Sequence, residues 1–146
     1  MNILWPTKDS INEAKEFLRD QRGFGFFDGG CLIFAQAITH ITQIKSRVQI
    51  ATLLIKNKPD HYGLIVDSEL WADARGIHQN KFLWAQNYTI QEKISGRAEV
   101  IDHYVPSENI PSDLDLSNKV SEMLILTEQQ LNLGKKGKSM NYEKEI

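Results

Sequence analysis

The sequence predicts an α+β fold: two N-terminal helices, the second of them buried, packed on an antiparallel sheet. Three observations carry this. Apolar residues recur at helical spacing in residues 10–22 and almost all round a helix in residues 31–45. Four β-branched or apolar runs follow at 48–55, 61–66, 70–75 and 98–105, the first three separated by short turn clusters. Helices and strands therefore fall in separate blocks, the mark of the α+β class. The chain has 146 residues, the size of one domain. No repeat or long linker divides it, so residues 1–134 read as a single domain and 135–146 as a polar, disordered tail.

In order, Met1 to Lys8 is an extended lead-in. Ser10, with Glu13 three residues on, makes a capping-box pattern, and Ile11, Ala14, Phe17 and Leu18 give the first helix its apolar stripe. Gly23 and Gly25 end it. Phe24, Phe26 and Phe27 read as core aromatics or as walls around the next turn. The second helix begins at Cys31, and its apolar residues cover most of its circumference. Residues 57–60 and 67–69 are turns, and Gly76 closes the third strand. A helix is expected over 79–93, a strand over 98–105, a loop with Pro106 and Pro111 over 106–115, and a last helix over 118–133.

Composition narrows the function classes. The chain is 41% hydrophobic and 25% charged, with net charge −2, so it has no basic field for a nucleic-acid backbone. One cysteine permits neither an internal disulfide nor a cysteine-rich zinc site. No stretch reads as a signal peptide or a membrane span, which leads us to expect a cytoplasmic protein or one injected into another cell by a dedicated machine. No cofactor is expected.

The chemistry centres on Phe24 to Ala35, which holds the single cysteine. A loop turning into a helix at Cys31 puts its thiol at the positive end of a helix dipole, which favours the thiolate. Gly29 and Gly30 suit the tight backbone there and leave the sulfur open to approach, and Asp28 is a candidate cap for the helix. The plainer alternative is a small buried residue at a helix start.

A nucleophilic thiol needs a base and a group that orients the base. His40 lies on the same helix as Cys31, about 13 Å further along and on the other side, so it cannot serve. His78 and His103 lack an orienting carboxylate at a telling spacing, since Asp102 beside His103 would point to the other face of its strand. His61 opens a strand after a turn. Placing Tyr62, Leu64 and Val66 with Leu70, Ala72 and Ala74 on one apolar face leaves His61, Gly63 and Ile65 with Trp71, Asp73 and Arg75 on the other. That pattern requires an odd-length loop and brings Asp73 opposite or diagonal to His61.

The segments Gly29-Gly30-Cys31-Leu32-Ile33-Phe34-Ala35, His61-Tyr62-Gly63-Leu64-Ile65-Val66 and Leu70-Trp71-Ala72-Asp73-Ala74-Arg75-Gly76 resemble papain-like cysteine hydrolases, in particular their short bacterial and phage branch, and transglutaminase-like cores. The resemblance covers about residues 23–77. It implies a papain-like core, Cys31 as nucleophile, His61 as base and then acid, Asp73 as orienter, and a protein or peptide substrate. Asp28, Gly29, Gly30, Trp71 and Arg75 become candidates for the substrate wall and oxyanion site. Two features depart from the family. No glutamine or asparagine occupies 25–28 to supply a second oxyanion donor, and the chain is short for a second substrate-binding lobe, which favours small or selective substrates over general proteolysis. The alternative function is a papain-like binding protein or inhibitor that docks on a protein partner, with Trp71 and Trp84 as exposed anchors. A metal site built from Cys31, His61 and Asp73 lacks close ligand spacing.

Overall fold

A computed structural model describes residues 2–131 of the chain. They form an α+β fold. The expected lead-in contains a strand, β1 (Asn2–Pro6). Helix α1 (Lys8–Arg22) starts ahead of Ser10, because Thr7, still extended after Pro6, accepts the Ser10 amide at 3.1 Å and is the true cap. Ser10 is instead buried in the first turn. Ile11, Ala14 and Leu18 face the core.

Helix α2 (Cys31–Thr39) is shorter than the apolar pattern suggests. The Thr39 hydroxyl donates to the Gln36 carbonyl at 2.7 Å and the His40 amide to Ala37 at 3.1 Å, closing the last turn. Ile41 and Ile44 are still buried, but in the turns that lead into a 3-10 segment at Lys45–Arg47. Their apolar spacing reported burial, not helix.

The main sheet is antiparallel, with order β5-β4-β3-β2-β6. Its strands are β2 (Val48–Ile55), β3 (Lys58–Val66), β4 (Leu70–Asp73), β5 (Gly76–His78) and β6 (Ala98–Ile101). The first turn is two residues, Lys56 and Asn57, both at positive φ, so the expected turn at 57–60 gives way to strand from Lys58. Pro59 and Asp60 fit within that strand because the register shifts there: Leu53 faces His61 and Leu54 faces Pro59. The second loop has three residues, 67–69, between the paired Val66 and Leu70. The third expected strand stops at Asp73, and Gly76 opens β5 instead of closing β4.

Helix α3 (Lys81–Gln91) is capped by Asn80. Helix α4 (Leu114–Met123) is capped by Asp113, and over the described residues 124–131 the expected helix does not continue; 132–133 lie outside the described residues. The chain turns extended at Leu124, and β7 (Leu126–Gln130) pairs antiparallel with β1. Local apolar spacing cannot register a partner strand more than a hundred residues away. The expected tail at 135–146 lies outside the described residues.

Two apolar layers flank the main sheet. Tyr62, Leu64, Val66, Leu70 and Ala72 pack with α1, α2 and α4, while Ala51, Leu53 and Ile65 pack with Trp84 and Tyr88 of α3. Among the described residues no helix is long and apolar enough to cross a membrane.

Candidate active site

Cys31 is the first residue of α2, only 6% exposed, and no side chain caps the helix above it. The first-turn amides therefore remain available at the positive end of the helix. Asp28 does not cap them. Its carboxylate accepts the Gly25 amide at 2.6 Å and pairs with Arg19 at 3.4 Å, closing the preceding loop on itself. Gly29 has φ 140°, open only to glycine without strain. Gly30 serves packing rather than access to the sulfur: a Cβ there would lie 2.5 Å from Leu18 and 2.6 Å from the Gly25 carbonyl oxygen.

His61 sits at the register shift of β3, a place where a strand re-aims its side chains. It is 2% exposed. Its ring stacks on Tyr88 at 4.3 Å between centroids and on Phe27 at 5.1 Å, with Trp84 tilted against it at 5.9 Å. The Tyr88 hydroxyl donates to the Asp60 carboxylate at 2.5 Å, which ties the stacking ring to the bulge beside His61.

The β3–β4 register pairs Leu64 with Ala72, Ile65 with Trp71 and Val66 with Leu70. Counting on, Asp73 comes opposite Gly63 and diagonal to His61. The Nε2 atom of His61 lies 3.0 Å from Oδ2 of Asp73. The same Oδ2 accepts the Trp84 indole N–H at 2.9 Å, and Oδ1 accepts the Arg75 amide at 2.9 Å. With Nε2 occupied by Asp73, Nδ1 is the ring atom left for the Cys31 thiol, whose nearness favours charge on the ring.

Electrostatics follow this geometry. Burial opposes charge on His61 more than any one partner favours it. Hydrogen bonds to Asp73 and Cys31, and the charge of both, together outweigh burial and raise the imidazole to about 9. Burial pushes the Asp73 carboxyl up, but the His61 bond and charge, the charge of His78 and the Arg75 amide hold it below its ordinary value. The pair is thus an imidazolium and a carboxylate at neutral pH. His78 is lowered, chiefly by burial and further by Arg75, against the opposing charge of Asp73.

The remaining candidates are placed as follows. Trp84 is fully buried, so it is no exposed anchor. Trp71 is half-buried and stacks on it at 5.6 Å. Arg75 pairs with Glu92 and lies 3.7 Å over the Phe27 ring. His40 is an exposed helix cap. His103 and Asp102 bond to each other at 3.1 Å in solvent, because β6 ends at Ile101 and strand alternation no longer separates their side chains. Sequence reasoning missed the supports supplied by Trp84, Tyr88 and Asp60, and it placed Phe27 at the Cys31 turn without its stacking on His61. One signal was present: Gly63 stands between His61 and the core run, and a Cβ there would meet the Trp84 ring at 2.5 Å. Among the described residues no group of three or more His, Cys, Asp or Glu side chains is placed to hold a metal ion.

No protein-family model, curated protein or solved structure matches this chain.

Proposed function

We propose that this protein is a papain-like cysteine hydrolase or acyl transferase that works through a Cys31-His61-Asp73 triad. The observation that carries the reading is the buried His61: one ring nitrogen is fixed by Asp73 at 3.0 Å and the other is left for a thiol at a helix N-terminus. Nucleophile, base and orienter are the three parts such chemistry needs.

The Cys31 sulfur attacks the carbonyl carbon of an amide or thioester, forming a C–S bond and pushing the carbonyl electrons onto oxygen. The Cys31 amide faces that oxyanion as one donor. Collapse expels the leaving amine or thiol, which takes the proton carried by His61. Neutral His61 then takes a proton from water, or from an acceptor amine, as that nucleophile attacks the acyl carbon, and the C–S bond breaks to return the Cys31 thiolate beside protonated His61. Asp73 keeps the ring oriented and stabilises its charge throughout. A nucleophile residue only 6% exposed suits a narrow, extended acyl donor such as a peptide tail or an isopeptide-linked chain.

Covalent labelling tests this reading. Iodoacetamide should alkylate Cys31 at neutral pH faster than it alkylates a free thiol, and His61→Ala should remove the advantage. Labelling no faster than in the urea-unfolded protein sinks it. Cys31→Ala should abolish hydrolysis of any amide or thioester substrate found for the wild type.

A further inference from the structure

Residues Lys8, Asn12, Lys15 and Arg19 follow each other at four, three and four positions on α1, which puts them on one helix face. Lys8, Asn12 and Lys15 form one wall of a cavity of about 490 Å³. Phe26, Phe27 and Arg75, the last at the β4–β5 turn, also line it. The cavity is lined by three cations and no carboxylate. Arg19 is neutralised by Asp28, and Arg75 by Glu92, but among the described residues neither Lys8 nor Lys15 has an ion-pair partner. The Nη1 atom of Arg75 is buried and makes no hydrogen bond.

This groove adjoins the triad through one ring. Phe27 stacks on His61 and carries Arg75 above it, and the Arg75 amide holds Asp73. One ring, Phe27, therefore stands between a chain lying in the groove and the His61 imidazole, and neither His61 nor Cys31 lines the cavity. The geometry points to a substrate-binding groove for an acidic peptide segment, with carboxylates meeting Lys8 and Lys15 and apolar side chains meeting Phe27. This assignment rests on the cysteine-hydrolase reading for its role, since it names the kind of chain delivered to Cys31. Unpaired lysines beside an apolar ring fit alternating acidic and apolar side chains better than a nucleic-acid backbone, which the net charge of −2 disfavours.

The test uses the full chain with Cys31→Ala, so that binding is read without turnover. The probe is a fluorescein-labelled peptide of alternating Glu and Leu, compared by anisotropy with its Gln-for-Glu counterpart. The acidic peptide should bind saturably, weaken as salt rises, and exceed the Gln peptide by about tenfold or more. Lys8→Glu with Lys15→Glu should cost a similar factor. Lys81→Glu with Arg97→Glu, at a separate basic cavity of about 590 Å³, should leave affinity unchanged. Circular dichroism should show every variant folded.

Equal binding of the two peptides, no saturable binding, or equal losses from both charge reversals overturns the assignment. So does tighter binding of a single-stranded oligonucleotide or of phosphatidylserine vesicles with the same dependence on Lys8 and Lys15. Saturable, groove-dependent binding alongside an unreactive Cys31 in the wild type would instead remove the hydrolase reading and leave the groove standing.

Discussion

The imidazole of His61 and the carboxylate of Asp73 meet at 3.0 Å with each side chain 2% exposed. Burying two charges is costly, and it is offset here by direct contact and by two further donors on Asp73, the Trp84 indole and the Arg75 amide. Such a pair is a poor way to gain stability, because apolar residues of similar volume do as well or better. Under the proposed mechanism the pair has a use instead: it is the base that serves Cys31.

Asp73→Asn keeps the shape but removes the charge that faces His61. The activated reaction of Cys31 should slow by about 10²-fold or more, and the fold should lose about 3–5 kcal/mol, as expected when one partner of a buried pair is removed. Iodoacetamide kinetics and urea melts measure the two effects.

Stability should have an alkaline limb set by His61. Its imidazole is raised to about 9, so its contribution is complete below the unfolded value of about 6.5 and disappears as pH climbs toward 9. Asp73 is held below its ordinary range, so its contribution is present above about pH 4 and is lost as pH falls through the folded value. Urea midpoints against pH should therefore show a plateau between these limits. In His61→Gln the decline between pH 6.5 and 9 should flatten. The same protonation should govern reactivity, with Cys31 alkylation losing its His61-dependent advantage as pH rises through about 9.

Trp84→Phe tests positioning rather than chemistry. It retains an aromatic ring in the α3 layer but removes the indole donor to Asp73. A hydrogen bond to a charged group contributes about 1.5–3 kcal/mol, and a loss of that size is expected in urea melts. A role confined to packing would leave the alkaline limb of the pH profile in place. Positioning of Asp73 predicts that the limb shifts.

Gly63→Ala should disturb the same contact from the strand side. Its Cβ would lie 2.5 Å from the Trp84 ring and 2.6 Å from the Ala72 carbonyl oxygen. Overpacking of this kind costs about 1–3 kcal/mol. Tryptophan fluorescence should report a displaced Trp84, and Gly63→Ala combined with Trp84→Phe should lose less than the sum of the two single changes.

The approach of His61 to Asp73 was legible because two local rules agree. Strand side chains alternate, and Tyr62, Leu64, Val66, Leu70 and Ala72 can share a core face only if the loop between the strands has an odd length, as residues 67–69 provide. The Cys31 helix start was legible from glycines followed by an apolar run. The supports of the site were not. Trp84 read only as core packing or as an exposed anchor, because its bond to Asp73 depends on α3 crossing the sheet face opposite α2. Asp28 read as a helix cap until the loop turned its carboxylate back onto Gly25.

By itself the sequence determined the α+β class, a helix starting at Cys31, and the faces of the β3–β4 hairpin that bring Asp73 to His61. These follow from periodicity and short turns, which act between near neighbours. Only the tertiary structure decided that β1 pairs with β7, that Tyr88 and Phe27 stack on His61, and that the α1 lysines share a groove with Arg75. Those contacts join segments far apart in the chain, and their geometry is set by how whole elements pack, which no local pattern of residues encodes.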